Sequence, residues 1–335
     1  MTTRKLKSIQ DIAQLAGVSK STVSRALNNS SLVRQETRDA IQTIAREHEF
    51  RPSATARSLS LRASRTIGFV NDAYNKGACN VSCPFSLEIM GGITVGLHEL
   101  GYDLLVIHVS PNDRDWVGQY LDTGRVDGFI LMTESKKMKH IELLASRGAP
   151  FVAWGTSSGR YCTVCGDDRA GGRLACERLL SLGRKRIAFL GGPRAEGEVQ
   201  ARFLGYKEAL SAGGKSFDPG LVVYGDYSEE SAEHAIKDLL ARKPDFDALF
   251  SNSDVMAIAA LKVLKAHGRR VPKDVAVVGY DDLSLASYVS PALTTISQRI
   301  PLAGTLLARD LVTFLEQGIV THTVVPVELV VRESA

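Results

Sequence analysis

A short segment near the start of the chain carries polar and basic side chains with helical spacing. Lys20, Ser21, Thr22, Ser24 and Arg25 lie within six residues of one another, and this run contains no acidic residue. Lysine, arginine and hydroxyl side chains donate hydrogen bonds to phosphate oxygens and to base edges in a DNA groove. The segment therefore has the composition of a surface that contacts an anionic partner rich in hydrogen-bond acceptors.

Two short amphipathic helices would present this surface. In the first, over residues 9–16, apolar side chains recur on one face, and Gly17 follows where that helix must end. Ser19 is placed to cap the second helix, in which Val23 and Ala26 supply buried positions. Two helices joined by a tight turn, the second of them polar, form a helix-turn-helix that enters a major groove. A helical hairpin that only covers a larger domain has the same periodicity, so the pattern alone leaves both interpretations open.

Residues 29–50 continue this unit with a third helix, in which apolar positions again recur with helical spacing. Its first turn contains Gln35 and Thr37, where backbone N–H groups and a hydroxyl can bind a phosphate. We therefore predict a helix-turn-helix DNA-binding head over residues 1–50.

The distribution of charge indicates contact with nucleic acid at one end of the chain. The sequence of 335 residues has a formal net charge of +4, but residues 1–65 contain twelve Lys and Arg against five Asp and Glu. A basic head on a mildly acidic remainder is typical of proteins that touch nucleic acid with one region. The length predicts two or three domains. No apolar run approaches a membrane span, and the N-terminal segment lacks the apolar part of a signal peptide, so we expect a cytoplasmic protein.

The five cysteines form no pattern with an obvious function. Cys79 and Cys83 are four residues apart in a predicted loop, and Cys162 and Cys165 lie near a strand. A zinc site needs further ligands at suitable spacing, and the histidines are scattered along the chain. We expect reduced thiols, no metal and no cofactor.

The segment DIAxxAGVSxxTVSRxLN, residues 11–28, resembles the headpiece of the lactose-repressor (LacI/GalR) family almost position for position. For this head we expect Lys20, Ser21 and Arg25 to read base edges, with Arg25 suited to a guanine. The other polar side chains would fix the register of the helix on the DNA backbone. The candidate DNA contacts in the head are Ser19, Lys20, Ser21, Thr22, Ser24, Arg25, Asn28 and Thr37.

A basic segment with few large apolar groups, RPSATARSLSLRASR, occupies residues 51–65. By composition it is a flexible linker, and as an isolated helix it is too short to be stable. PSATARSL also resembles the hinge of the same family. That resemblance implies a helix that folds on DNA and inserts Leu59 into the minor groove, with Ser53, Ala56 and Arg57 near the groove floor and backbone. We favour this hinge helix, with Leu59 as an apolar wedge in the minor groove, over the flexible linker.

From residue 66 the pattern changes to short apolar runs that alternate with amphipathic helices. The runs are TIGFVND, DLLVIHV, GFILM, FVAWG, RIAFLGG, LVVYGD, ALFSNS and VAVVGYDD. Near-continuous apolar strands between helices predict parallel sheets covered on both faces, and eight or more strands predict two such doubly wound sheets. The fold class is therefore an α-helical head on a two-lobed α/β core. This core resembles the periplasmic-binding-protein architecture of the family's regulatory region.

The same resemblance implies three crossings between the lobes, near residues 162–168, 291–298 and 322–326. The predicted domains are the head (1–50), the hinge (51–65) and an effector-binding and dimerisation core (66–335). Within the core, the N-lobe would comprise about 66–163 and 295–323, and the C-lobe about 164–294 and 324–335.

Side chains near strand ends are the candidates for a ligand site, because the cleft of such a core opens at the carboxyl ends of its strands. They are Tyr74, Phe85, Trp154, Glu196, Glu198, Arg202, Tyr227, Ser253, Asp254 and Asp281. Polar groups exchange hydrogen bonds with sugar hydroxyls, and aromatic rings pack on a pyranose, so we expect a sugar or a sugar phosphate. Arg202 and Asp281 also match the family's recurring effector contacts. Asp168 and Asp254 have an alternative role as helix caps, and Trp154 has one in the core.

These features together predict a ligand-responsive transcriptional regulator, a repressor of carbohydrate-utilisation genes. It would bind a near-palindromic operator as a homodimer, or as a tetramer, and ligand closure of the lobes would change the spacing of the two hinges. We expect no enzyme, because the turn at Gly191 lacks the Lys and Ser/Thr of a phosphate loop and no His-Glu-x-x-His motif is present. Two alternatives stay open: a sugar-binding transport protein without a DNA role, and an activator or global regulator controlled by a partner protein.

The wedge hypothesis makes a direct prediction. Leu59→Ala should weaken operator binding by about tenfold or more, because the minor-groove kink loses its apolar insertion, while ligand affinity stays nearly unchanged. A gel-shift titration measures the first quantity and calorimetry the second. Equal operator affinity of the variant and the native protein would contradict the wedge.

Overall fold

A computed structural model of the chain describes residues 8–50, 63–72, 83–110, 113, 115–132, 138–155, 159, 161–242 and 245–335. The chain divides into two compact units, Met1–Ser64 and Arg65–Ala335. The hinge contacts predicted at Ser53, Ala56, Arg57 and Leu59, the ligand candidate Tyr74 and the cysteine Cys79 lie outside the described residues.

Three helices form the described part of the first unit, α1 (Ile9–Ala16), α2 (Lys20–Leu27) and α3 (Gln35–Glu47). Ser8 starts α1 through a capping box with Asp11, and Gly17 ends it in the left-handed conformation, with φ at 65°. Ser19 caps α2, where its hydroxyl accepts a hydrogen bond from the Thr22 N–H at 3.1 Å. The predicted glycine stop and serine cap are thus both confirmed.

A small apolar cluster holds these three helices together. Its buried members are Ile12, Ala13, Val23, Ala26, Val33, Ile41 and Ala45. Ile9, Leu27 and Ile44 pack at its margin and are only partly buried. Because the apolar side of α2 is used in this cluster, its polar side is left for the solvent.

The second unit contains two sheets, each of six strands in the described residues. The N-lobe sheet consists of β1 (Thr66–Asp72), β2 (Asp103–Val109), β3 (Gly128–Met132), β4 (Phe151–Trp154), β5 (Cys162–Gly166) and β11 (His322–Val325), in the order β11-β5-β4-β3-β1-β2. The C-lobe sheet consists of β6 (Ile187–Gly191), β7 (Val222–Tyr224), β8 (Ala248–Ser251), β9 (Ala276–Asp281), β10 (Thr294–Ser297) and β12 (Glu328–Val330), in the order β12-β10-β9-β8-β6-β7. Neighbouring strands are parallel, except that β12 runs antiparallel to β10.

Helices cover both faces of each sheet. They are α4 (Pro84–Glu99), α5 (Met138–Ser146) and α10 (Ile300–Gln317) in the N-lobe, and α6 (Asp168–Ser181), α7 (Gly197–Ala212), α8 (Glu229–Ala241) and α9 (Asp254–Ala266) in the C-lobe. The strands β3, β6 and β8 are buried along their whole length, as the continuous apolar runs predict for parallel sheets. The predicted two-lobed α/β core is confirmed. No helix in the described part of the chain is long and apolar enough to cross a membrane.

The chain passes between the lobes three times, and each passage follows the end of a strand. The passages lie after β5, after β10 and after β11, within the three predicted regions or directly after them. The predicted lobe limits at 163/164, 294/295 and 323/324 need correction, because each falls within a paired strand. These strands keep their ladder hydrogen bonds to Gly166, Ser297 and Val325, so the chain leaves each sheet only beyond those residues. Since all three passages start at carboxyl ends, the carboxyl edges of the two sheets face each other across a cleft.

Glycines allow the helices beside this cleft to pack at backbone distance. A Cβ atom on Gly92 of α4 would lie 2.3 Å from the carbonyl oxygen of Pro301 in α10. In the C-lobe, a Cβ atom on Gly172 of α6 would lie 2.0 Å from the carbonyl oxygen of Arg202 in α7. The second contact sets the position of the Arg202 backbone.

Adjacent glycines in α4 provide a matched test of this packing. Gly92→Ala should lower the free energy of unfolding by about 1–3 kcal/mol, because the new methyl group must push α10 away. Gly91→Ala should instead raise it by about 0.5–1 kcal/mol, since a Cβ atom there meets nothing within 4 Å and alanine favours the helix. Urea denaturation measures both values. Equal effects of the two substitutions would contradict the close contact.

Candidate DNA-binding surface and ligand site

The polar side of α2 carries the candidate DNA contacts of the first unit. Lys20, Ser21 and Arg25 are exposed, whereas Thr22 and Ser24 are half-buried. The hydroxyl of Ser19 shares hydrogen bonds of 2.8 Å with the hydroxyls of Ser21 and Thr22. Hydroxyl protons can rotate, so this group is able to donate to a phosphate or to accept from a base.

The helix α3 lies in the same unit and begins without a side-chain cap. No side chain caps it at Arg34, so the first backbone N–H groups of α3 have no capping partner. The Gln35 side chain is engaged within its own helix, because it donates to Asp39 and accepts from Arg38. Thr37 is half-buried in this turn, and Asn28 is exposed at the end of α2. An uncapped helix start of this kind suits a phosphate oxygen.

In the second unit, Arg202 is the most constrained of the ligand candidates. Only 4% of its surface is exposed, and its guanidinium carbon lies 3.7 Å from the centroid of the Tyr280 ring. Its Nε donates to Asp168 Oδ1 at 2.8 Å, and its Nη1 donates to the carbonyl oxygen of Asn252 at 2.7 Å. The Tyr280 hydroxyl donates to the same Asp168 oxygen at 3.3 Å. The guanidinium is therefore held from three sides.

The electrostatics of this pair follow from its burial. Burial raises the pKa of Asp168, although the charge and the hydrogen bond of Arg202 oppose that effect. Burial acts to lower the pKa of Arg202, but the combined charge interactions with Asp168, Tyr280, Tyr227 and Asp281 outweigh it, and the pKa is raised. A buried ion pair that loses one partner leaves an uncompensated charge, which is strongly destabilising. Each residue therefore fixes the position of the other.

Asp281 ends β9 beside this pair and is itself buried. Its Oδ1 accepts a hydrogen bond from Gln298 Nε2 at 2.8 Å, and its backbone φ is 116°. Burial raises its pKa to about 7, against the opposing effects of Arg202 and Gln298. An aspartate held in this strained conformation at a strand end is typical of a functional site.

Asp254 is wholly buried, and its carboxylate is occupied by the protein. Oδ1 accepts from the Thr295 hydroxyl at 2.5 Å, and Oδ2 accepts from the Leu283 N–H at 2.8 Å. Burial raises the pKa of this carboxyl as well. Asp254 therefore ties the start of α9 to β10 and to the segment after β9.

The capping role considered for Asp168 and Asp254 is wrong. Ser253 caps α9 by accepting from the Met256 N–H at 3.2 Å, and Asp167 caps α6 in the same way. Asp168 and Asp254 are the first residues inside their helices. A capping side chain must stand one position earlier to reach the N–H groups of the first turn.

Glu198 and Tyr227 form a second polar group in the C-lobe. The Tyr227 hydroxyl donates to Glu198 Oε1 at 3.2 Å. Tyr227 has a φ of 70°, and its ring covers Gly192, where a Cβ atom would lie 2.4 Å from the ring. Burial raises the pKa of Glu198 to about 6, although Arg202 acts to lower it. Glu196 stands two residues earlier as the N-cap residue of α7 and is buried.

The N-lobe contributes aromatic surface. Phe85 lies in the first turn of α4, Trp154 ends β4, and their ring centroids are 5.8 Å apart with the planes inclined by 48°. The lobes also touch, because the Ser284 N–H of the C-lobe donates to Glu88 Oε1 of α4 at 2.8 Å. Phe85 and Trp154 are partly buried and pack against the apolar core of the N-lobe, whereas the hydrogen-bonding groups described above belong to the C-lobe.

Several residues of this site were not predicted from the sequence. Asp168 was considered only as a cap, and Asn252, Tyr280 and Gln298 were not singled out. Both side-chain polar atoms of Asn252 and the Oε1 of Gln298 are buried without a hydrogen-bond partner in the described residues. Such groups are costly unless a ligand or an ordered water satisfies them. Asn252 lies within the predicted run ALFSNS, directly after β8, which is a usable signal, whereas Gln298 follows a strand that the pattern did not predict.

The four described cysteines show no site of their own. Cys83 is the N-cap residue of α4 and accepts from the Ser86 N–H at 3.3 Å, and Cys162 is buried. Within the described ranges, no three or more His, Cys, Asp and Glu side chains are grouped to hold a metal ion.

A helix-turn-helix unit with an exposed basic second helix, in one chain with a two-lobed core and a polar cleft, defines a DNA-binding transcriptional regulator. Residues 8–53 match the model for bacterial regulatory proteins of the lacI family, and residues 176–335 match a periplasmic binding protein-like domain. The chain is 38% identical over 345 residues to the HTH-type transcriptional regulator CelR of Thermobifida fusca, with 100% of both chains covered. The chain belongs to the LacI family of bacterial regulatory proteins.

Solved structures agree with this assignment. A transcriptional regulator CelR–cellobiose complex matches with a TM-score of 0.73 and 34% identity, covering 98% of this chain and 100% of that one. The Lac repressor dimer bound to operator and the anti-inducer ONPF matches with a TM-score of 0.84 and 27% identity, covering 98% and 99%. The chain is therefore a regulator and not an enzyme.

The raised pKa of Asp281 predicts a pH-dependent stability. A carboxyl with a folded-state pKa of about 7 stabilises the fold at low pH, and this contribution is lost as the pH rises from about 4 to about 7. Asp281→Asn removes the titrating carboxyl, and with it the loss of stability at high pH, but it keeps an acceptor for Gln298. We expect its melting temperature, relative to the native protein, to increase by about 5 °C between pH 5 and pH 8.

Thermal unfolding followed by circular dichroism, without ligand, measures this difference. The control is Asp238→Asn, which removes an exposed carboxylate of α8. We expect the control to change the melting temperature by the same amount at every pH. The same result for Asp281→Asn would contradict the raised pKa of the buried Asp281 carboxyl.

Proposed function

We propose that the protein is a cytoplasmic, homodimeric repressor of carbohydrate-utilisation genes, whose operator affinity is set by a sugar in the cleft. The observation that carries the ligand class is the presence of both kinds of surface: Phe85 and Trp154 form an aromatic pair on one lobe, and Arg202 and Asp281 belong to hydrogen-bonded polar groups on the other. Sugars need both kinds of surface, because they bear hydroxyls on their edges and C–H groups on their faces. The matching complexes with cellobiose and with operator DNA support the same function.

In this proposal α2 lies in a major groove of the operator. Lys20, Ser21 and Arg25 contact base edges, and each good bidentate contact is worth about 1–3 kcal/mol of discrimination. Ser19, Thr22, Ser24, Asn28 and Thr37 bind the DNA backbone, and the hinge residues Ser53, Ala56, Arg57 and Leu59 bind the minor groove. Two heads related by twofold symmetry require a near-palindromic site.

In the cleft, Arg202 Nη2 is the donor best placed for a ligand, because Nε and Nη1 are already used. Asp281 and Glu198 accept ligand hydroxyls, Tyr227, Ser253 and Glu196 border them, and Phe85 and Trp154 pack on the ring. Tyr74 belongs to the same proposed set. Asp254 contributes indirectly, since its carboxylate holds the strand ends in place.

The three interlobe passages convert ligand binding into a change at the DNA. A ligand that bridges the lobes alters their closure and hence the spacing of the two hinges in the dimer. Ligand and operator then affect each other's affinity by the same factor, and either sign of that coupling fits this geometry.

The experiment starts with selection of duplexes from a random pool by the full-length protein. We expect near-palindromic sites, which Arg25→Ala binds about tenfold or more weakly, because it loses a base contact and a charge. The matched control is Arg242→Ala, which removes an exposed arginine at the end of α8. Fluorescence anisotropy at several salt concentrations measures the affinities.

A thermal-shift screen of sugars then identifies a ligand, which is added to the operator complex. We expect a stabilising sugar to change the operator affinity by at least tenfold. A protein that binds a sugar but no DNA would be a binding or transport protein. Selected DNA that no sugar affects would indicate control by a partner protein, and either result would contradict the proposal.

A further inference from the structure

The C-lobe wall of the cleft contains more carboxyl groups than cations. Its buried cation, Arg202, is already paired with Asp168 at 2.8 Å. Asp281 and Glu198 are two further carboxyl groups, and both act electrostatically with Arg202. A bound phosphate requires Lys, Arg or clustered N–H donors to balance its charge. Among the described residues of this wall, no such excess of positive charge is present.

Glu198 and Tyr227 are arranged to bind hydroxyl groups. A carboxylate has about four acceptor positions, and the Tyr227 hydroxyl occupies one of them at 3.2 Å. Because that hydroxyl donates its only proton to Glu198, its oxygen can act only as an acceptor toward a ligand. A carboxylate and a phenol oxygen side by side therefore accept from two hydroxyls of one ligand.

The surrounding backbone holds this pair rigidly. Tyr227 adopts a left-handed φ of 70°, and its ring rests on Gly192, where no larger residue fits. Glu198 lies in the first turn of α7, one helical turn before Arg202. The two acceptors and the guanidinium consequently keep a fixed spacing, which favours one class of ligand.

We propose that Glu198 and Tyr227 form a hydroxyl-binding pair that makes the cleft select uncharged polyhydroxy ligands over their phosphate esters. This inference rests on the proposed sugar-binding function and narrows it, because a sugar phosphate no longer fits. Glu198 excludes the ester by charge repulsion, whereas Tyr227 contributes a hydrogen bond to the neutral ligand.

Calorimetry with the full-length protein at pH 8 tests the selectivity. The probes are glucose and cellobiose, with glucose 6-phosphate and cellobiose 6′-phosphate as their esters. We expect the native protein to bind at least one neutral sugar about tenfold or more tightly than its ester. Glu198→Gln should reduce that ratio about tenfold by admitting the ester, while Tyr227→Phe should weaken the neutral sugar and leave the exclusion of the ester intact.

The control is Glu208→Gln on the same helix, which removes the same charge from a surface pair with Arg169. It should leave the ratio unchanged. Equal binding of sugar and ester by the native protein, or an unchanged ratio in Glu198→Gln, would overturn the inference alone. If none of the four probes bound, the sugar-binding function itself would be overturned, and the selectivity with it.

Discussion

The buried ion pair between Arg202 and Asp168 determines how the C-lobe wall of the cleft is built. It joins α7 to the start of α6, directly beyond the first passage between the lobes. The close approach of these helices at Gly172 and the Tyr280 ring leave the guanidinium little freedom to move. Because neither charge tolerates burial alone, the pair holds one donor of Arg202 in a constant place, and the other polar groups of the wall are arranged around it.

The passages between the lobes lie beside this wall and are linked to one another. Gln298, on the second passage, donates to Asp281, so the proposed ligand residue at the end of β9 is hydrogen-bonded to an interlobe segment. Asp167, on the first passage, donates its N–H to the carbonyl oxygen of Val325 at 3.1 Å, where the third begins. In the proposed mechanism, a ligand that changes the position of Asp281 would therefore act directly on the segments that join the lobes, without a long chain of intermediate contacts.

The first unit has a different physical basis. Its core is a small cluster around Ile12, Val23 and Ile41, and its function depends on what that cluster leaves outside. Burying one side of α2 commits Lys20 and Arg25 to the surface, where they suit phosphates and base edges. The exposed basic side of α2 therefore provides the positive charge that attracts a DNA backbone of any sequence.

The helix stop at Gly17, the Ser19 cap and the eight apolar runs of the core are local features, so the sequence by itself determined them through backbone preference and periodicity. It also determined which residue types stand at the strand ends, including Asp281 at the end of β9. Only the tertiary structure decided which of these groups meet. The strands β5, β10, β11 and β12 are only three to five residues long and contain no continuous apolar run of that length, and they exist because neighbouring strands supply their hydrogen bonds. Asp168, Asn252 and Gln298 entered the site for the same reason: burial and pairing depend on residues distant in the sequence, which no local pattern records.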